Sequence, residues 1–329
     1  MSGSAGVPFG VIGVGSLGYH HARILRDVAG VEMLGVFDAD PARCAKVAEE
    51  LSVKAYGSAE SLASDVDALV IAVPTTHHAE VAALALDRGA HILVEKPIAS
   101  TLEEADAILA RADARGLMVA TGHVERFNAA LRACEPYLDE PRFIESHRLA
   151  PFNPRGTDVA VVLDLMIHDI DLVLGLVKHP VAQVDAVGVP VLTPSVDIAN
   201  ARLRFDSGAV ANITASRVSR ERMRKIRIFQ RSGYISLDLG SGSGEFLRLR
   251  EGFELGNLAG APSVESIVER VEFAGDDREP LRAELESFAA AVRGEGEIMV
   301  SGHDGRQALA VALEIVQHIE KHVADQRTA

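Results

Sequence analysis

Three glycines, Gly13, Gly15 and Gly18, constrain this chain more than any other feature because of what flanks them. The apolar run FGVIGV (9–14) leads into them and an amphipathic stretch follows. Where a buried strand turns sharply into a helix, the first glycine makes the turn. The second lets backbone amides approach an anion, and the third lets helix and strand pack closely. Ser16 and Leu17 then occupy the helix's first turn, whose free N–H groups face a pyrophosphate. An acid, Asp38, arrives 20 residues after the last glycine, at the end of the second apolar run VEMLGVFD (31–38). A carboxylate there suits the adenosine ribose hydroxyls and repels a 2′-phosphate, so the spacing predicts NAD rather than NADP as cofactor. Arg43, five residues on, is a cation that could reach a phosphate there.

The rhythm continues through DALVIAV (67–73), HILVE (91–95) and LMVAT (117–121), with helical patterns at 41–51, 78–88 and 101–114. Nearly continuous apolar runs alternating with amphipathic stretches predict parallel strands covered on both faces by helices. Beyond 123 the pattern changes. One strong helix (158–177) precedes strand-like runs near 180–191, 196–205, 209–218, 223–230 and 234–239. Strands without intervening helices pair antiparallel. Residues 240–262 are Gly- and Ser-rich and read as loop, and helices at 280–293 and 303–324 close the chain. The expected fold is α/β: an N-terminal Rossmann doubly wound parallel sheet (1–122), then an α+β domain (123–329) with a mainly antiparallel open sheet.

A formal charge of −14 opposes general affinity for nucleic acid or anionic membrane. No apolar run reaches the roughly 20 residues a bilayer requires, and the first residues carry no signal-peptide pattern. Two cysteines, Cys44 and Cys134, make no disulfide framework. A cytoplasmic location is expected. His20, His21, His77 and His123 have no Cys or carboxylate at metal-binding spacing, so no metal is expected.

Chemistry concentrates in two places. The fifth run ends in Glu95-Lys96-Pro97, and the carboxyl ends of strands in a doubly wound sheet line the cofactor crevice. Lys96 is therefore either a catalytic cation or an ordinary surface lysine. In VAVVLDLMIHDID (159–171), Asp164, His168 and Asp171 fall at i, i+4 and i+7 of a helix otherwise apolar. Such groups are costly to bury unless paired or used, and Asp164 one turn before His168 fits an acid–base pair. Sequence leaves open which of Lys96 and His168 would be the immediate base.

The segments GVGSLG with His21-Ala22, Pro74-Thr75-Thr-His-His78, VEKPIA and DLMIHDID together resemble the glucose–fructose oxidoreductase/inositol dehydrogenase (Gfo/Idh/MocA) family over nearly the whole length. The resemblance implies that Lys96, Asp164 and His168 surround a reacting sugar hydroxyl; as its hydride leaves, His168 would accept the proton, with Asp164 orienting it or stabilising its cation, and Lys96 would bind the developing alkoxide or relay the proton. It also implies that Glu95 holds the nicotinamide ribose, that Pro74, Thr75 and His78 belong to the cofactor site, and that the open sheet forms a homodimer or homotetramer. GHVERFNAAL, ESHRLAPF, RGTDVAVVLDLMIHDID and MRKIRIFQ are similar to the UDP-N-acetylglucosamine 3-dehydrogenase branch. That branch makes a 3-keto sugar later aminated for lipid A.

Arg126, Asn128, Arg148, Arg155 and Asp158 are candidate substrate contacts, with Arg126 and Asn128 equally readable as a helix start. The basic run Arg217, Arg220, Arg222, Arg224, Lys225, Arg227, Arg231 fits a solvated strand face or subunit contact, or a diphosphate site. Two rivals to a sugar-nucleotide dehydrogenase stand: the same chemistry on a free polyol or monosaccharide such as inositol, and a non-catalytic NAD-binding sensor.

Overall fold

The computed structural model describes residues 6–153, 159–250 and 267–328, with side chains to 322. They form two compact units. One comprises the described residues of Met1–Val124 with Arg278–Ala310, the other those of Glu125–Asp277 with Val311–Ala329.

In the first unit six parallel strands, β1 (Val7–Ile12), β2 (Val31–Phe37), β3 (Lys54–Ala55), β4 (Ala68–Ile71), β5 (His91–Glu95) and β6 (Val119–Gly122), lie in the order β3-β2-β1-β4-β5-β6. The order reverses between β1 and β4, and crevices at such switch points bind dinucleotides. All four residues of β4 are buried, which is why they read as an unbroken apolar run. Helices α1 (Ser16–Leu25), α2 (Pro41–Leu51), α3 (Ala59–Asp65), α4 (His78–Asp87) and α5 (Leu102–Asp113) connect them. Helix starts are set locally: Asp40 caps α2 ahead of Pro41, and Thr101 with Glu104 forms a reciprocal capping box on α5.

The sequence places helix 280–293 in the second domain; the structure places α8 (Pro280–Val292) in the first unit. Leu285, Phe288 and Ala289 join the core made by Phe9, Val11, Ile24 and Leu25, and the Phe288 ring meets Phe9 edge-on at 5.8 Å. Burying such a side chain contributes roughly 1.5–3 kcal/mol, which this apolar face gains from that core.

The second unit is an eight-stranded sheet: β7 (Pro141–Leu149), β8 (Val181–Val189), β9 (Ile198–Phe205), β10 (Val210–Ser216), β11 (Met223–Gln230), β12 (Gly233–Asp238), β13 (Ser243–Leu249) and β14 (Val268–Ala274). Its order is β14-β13-β12-β11-β7-β10-β9-β8. β7 and β10 run parallel and the other pairs antiparallel. One face buries Ile144, Ile213, Ile226, Ile228, Ile235 and Leu237, and α7 (Ile167–Val177) packs on that sheet at β7 and β10. The other face carries the half-exposed Phe143, Glu145, His147, Phe229 and Tyr234. Helix α6 (Ala129–Cys134) packs near β13 and β14, and α9 (Gly302–Thr328) ends the chain.

Two expectations need correction. The stretch 240–262, read as loop, contains β13, whose Phe246 is buried. β7 escaped notice because its inward positions include the polar Ser146 and Arg148, which break the apolar alternation that marks a half-buried strand.

Candidate active site

In the first unit a cavity of about 1000 Å³ lies at the carboxyl ends of β1, β2, β4 and β5, and Gly13, Gly15, Leu17, Asp38, Pro74, Thr75, His78, Glu95 and Lys96 are among its walls. The three glycines serve different ends. Gly13 has φ +86°, and a Cβ there would lie 2.7 Å from the Ala72 carbonyl; one on Gly18 would lie 1.8 Å from the Gly13 carbonyl. Those two are demanded by the fold. A Cβ on Gly15 would meet only the Arg43 guanidinium, at 3.9 Å. The protein leaves that space to the cavity, as a pyrophosphate seated on the α1 N-terminus requires. Ser16, the first residue of α1, is exposed.

Asp38 is buried just past the end of β2, and both its carboxylate oxygens are held by the backbone. Its Oδ2 accepts from the Val14 N–H at 2.8 Å and its Oδ1 from the Asp40 N–H at 2.8 Å. The carboxylate thus ties the glycine loop to β2. The Arg43 guanidinium lies 3.5 Å from Asp38 and 3.2 Å from Asp40. An NAD molecule fits these residues: open room at Gly15, helix N–H groups for the pyrophosphate, and a fixed carboxylate beside the adenosine end.

Lys96 is half-buried between two anchored neighbours. The Lys96–Pro97 peptide is cis, a point sequence left open. Glu95 is buried; its Oε1 lies 2.7 Å from His21 Nε2 and its Oε2 accepts from the Lys96 N–H at 3.2 Å. Burial would raise the Glu95 pKa, but the hydrogen bond and charge of His21 and the charge of Lys96 outweigh it, so the carboxyl is held below its ordinary value. On the other side, His78 Nδ1 lies 2.8 Å from the Pro97 carbonyl and Nε2 3.0 Å from the Val73 carbonyl. Burial lowers the His78 pKa against the pull of those carbonyls. His78 therefore clamps the turn as well as lining the cavity.

Sequence shows no Cys or carboxylate at metal-binding spacing from His21. The structure brings carboxylates to it from distant segments: ligand-type atoms of His21, Glu95 and Glu284 lie within 4.8 Å of one another. Glu284 enters on α8, a contact that no short-range spacing could reveal.

In the second unit Asp164 sits in a π-helical turn (Val162–Met166) running directly into α7, which carries His168. Such turns recur at functional sites. Asp164 and His168 are half-exposed, whereas Asp169 and Asp171 are buried. Asp171, the third member of the polar stripe, receives Arg126 in a two-pronged ion pair at 2.6 and 3.0 Å. A Cβ on Gly175 would collide with that guanidinium at 1.9 Å, so Gly175 gives it room. Arg126 is thereby tied to α7.

Arg148 differs from its expected place at a substrate. It is 4% exposed, with Nε 2.5 Å from Asp169 and Nη1 2.8 Å from Glu125, so its charge is consumed inside the unit. Asn128 is also buried; it caps α6 and donates to Glu125 and the Leu239 carbonyl, the helix-start role. Arg155 and Asp158 lie outside the described residues. The basic run is largely paired: Arg217 with buried Asp197, Arg224 with Glu125, Lys225 with Asp238 and Arg227 with Glu145. Those pairs favour a salt-bridged strand face over a diphosphate site.

Comparison with known proteins agrees with this architecture. The GFO/IDH/MocA oxidoreductase family, NAD-binding Rossmann fold, matches residues 7–123, and the GFO/IDH/MocA C-terminal domain matches 131–236. The chain is 39% identical to the UDP-N-acetylglucosamine 3-dehydrogenase of Acidithiobacillus ferrooxidans, over 94% of this chain and 96% of that one. A solved structure of that enzyme superposes with a TM-score of 0.88 at 37% identity, covering 97% of this chain and 99% of the other. The inositol 2-dehydrogenase of Rhizobium meliloti is 27% identical over 95% of this chain and 97% of its own length. With the glycine loop, Asp38 and the Glu95-Lys96-Pro97 turn built around one cavity, this chain belongs to the GFO/IDH/MocA family of NAD-binding oxidoreductases.

Proposed function

We propose that this enzyme oxidises the C3 hydroxyl of UDP-N-acetylglucosamine to a ketone with NAD. The carrying observation is the 39% identity to an enzyme of that activity across almost the full length of both chains. Bound NAD supplies the hydride acceptor. His168 takes the hydroxyl proton, and Asp164, one turn earlier, orients it and favours its cation. Lys96 donates a hydrogen bond to the oxygen as negative charge develops there, while Glu95 binds the nicotinamide ribose. The 3-keto product is a substrate for amination to a 3-amino sugar of the kind used in amide-linked lipid A. The half-exposed, partly aromatic face of the eight-stranded sheet supports assembly into a homodimer or homotetramer. Among the described residues no helix is long and apolar enough to cross a membrane.

NAD reduction measured with UDP-N-acetylglucosamine, inositol and glucose tests the substrate; faster turnover of either free polyol or sugar refutes the sugar nucleotide. The inositol dehydrogenases among its relatives make that the second reading. Lys96→Met and His168→Ala should each lower kcat by about 100-fold or more. Unchanged turnover in either removes that residue from the acid–base set, and unchanged turnover in both leaves no support for the mechanism.

A further inference from the structure

Lys96 is fixed from the Pro97 side by His78, whereas on the Glu95 side the chain depends on a longer connection. Glu95 ends β5 with its carboxylate turned toward α1, where His21 is fully buried. The 2.7 Å contact between His21 Nε2 and Glu95 Oε1 takes one carboxylate oxygen, and the Lys96 N–H takes the other. Gly122, at the end of β6, makes space for this group: a Cβ there would lie 3.1 Å from the Glu95 carboxyl. Glu284 on α8 closes the cluster on another side. A buried histidine one helical turn beyond the glycine loop thus reaches the residue beside the lysine.

We propose that His21 is a positioning residue: through Glu95 it sets the placement of Lys96 and of the carboxylate offered to the nicotinamide ribose. The inference rests on the assignment of Lys96 and Glu95 given above. His21 touches neither cofactor nor substrate in this role. It supplies a donor that keeps Glu95 ionised and in one orientation, although burial alone would favour the neutral acid. Helix α1 therefore serves two parts of one dinucleotide, its N-terminus meeting the central pyrophosphate and His21, further along, governing the redox end. α8 returns from late in the sequence to seal the same cluster, which gives that segment a part in the site as well as in the core.

Three variants and a control test this. His21→Leu keeps the bulk and loses the donor; His21→Gln places an amide nitrogen near the position of Nε2; His21→Asn is polar but too short to reach Glu95. Calorimetric NAD titration should show the Leu and Asn variants binding about 10-fold more weakly, with Gln within about 3-fold of the parent. With UDP-N-acetylglucosamine the same two variants should lose on the order of 100-fold in kcat, with little change in sugar-nucleotide KM, and Gln should recover most of it. A folded Leu variant with parental NAD affinity overturns the proposal. Should the Leu variant not fold, equal NAD affinity of the Gln and Asn variants overturns it instead. Lys96→Met separates the two claims: full turnover there refutes the acid–base role of Lys96, whereas the NAD titrations of the His21 variants report on Glu95 whatever the substrate.

Discussion

Replacing Asp38 by asparagine should change stability and cofactor choice together, because one buried carboxylate both ties down the glycine loop and lines the cofactor cavity. Its two oxygens accept the Val14 and Asp40 N–H groups, each at 2.8 Å. An amide can present an oxygen to only one of them; its NH2 then faces a donor, and one N–H loses its partner. Hydrogen bonds to a charged group contribute about 1.5–3 kcal/mol each. At about 2–4 °C per kcal/mol for a domain of 150–250 residues, a loss near 2 kcal/mol lowers Tm by roughly 4–8 °C. The second effect is electrostatic. A 2′-phosphate about 4 Å from the carboxylate meets a repulsion of up to about 4 kcal/mol per unit charge at an effective dielectric of 20, less after salt screening. Asparagine removes it and releases Arg43, 3.5 Å from Asp38, toward the phosphate. The preference for NAD over NADP should then fall by on the order of 100-fold. Thermal unfolding and initial rates with each cofactor measure the two effects. An Asp38→Asn variant that keeps both the parental Tm and the parental cofactor ratio would refute the reasoning.

Gly15→Ala should leave Tm unchanged yet weaken NAD binding by about 10-fold or more, since its Cβ meets only Arg43 within 4 Å. Gly18→Ala, with its Cβ 1.8 Å from a backbone carbonyl, should destabilise the protein outright; titration calorimetry beside thermal unfolding distinguishes the two, and equal Tm losses would contradict the assignment. Arg148→Met leaves Asp169 and Glu125 buried with their main cation gone, a loss of about 3–5 kcal/mol in urea unfolding; less than about 1 kcal/mol would mean the ion pairs are dispensable. Asp197 is buried, which would raise its pKa, but the backbone N–H groups of Thr193, Leu192 and Val191 and the Thr193 hydroxyl more than compensate and hold it below its ordinary value. A depressed folded pKa gives stability that is complete above the unfolded value, near 4, and is lost as pH falls below it. The stability gap between parent and Asp197→Asn should therefore narrow below about pH 4, followed by circular dichroism; a gap independent of pH would disprove the assignment.

Legibility of the site tracked the range of the interactions involved. The glycine loop, Asp38 and the Glu95-Lys96-Pro97 turn could be found in sequence because each depends on a few consecutive residues with fixed backbone duties. The Asp164–His168 spacing was visible for the same reason, although the π-helical turn beneath Asp164 was not, since nothing in its composition separates it from an α-helix. Arg148 shows the opposite limit. It stands in a segment matching a dehydrogenase branch, and a cation there reads equally well as a substrate contact or an internal partner; only the positions of Glu125 and Asp169, 23 and 21 residues away, decide between them.

The sequence alone determined the fold class, the dinucleotide loop, the lysine turn and the sheet-rich character of the second unit, because periodicity, glycine geometry and capping act within a dozen residues. Tertiary structure alone decided that α8 belongs to the first unit, that β7 and β10 run parallel, that Arg126 and Arg148 pair with buried aspartates, and that His21 meets Glu95 and Glu284. Those outcomes depend on which distant surfaces recover the most burial and which buried charges find partners, and neither is encoded in any local pattern.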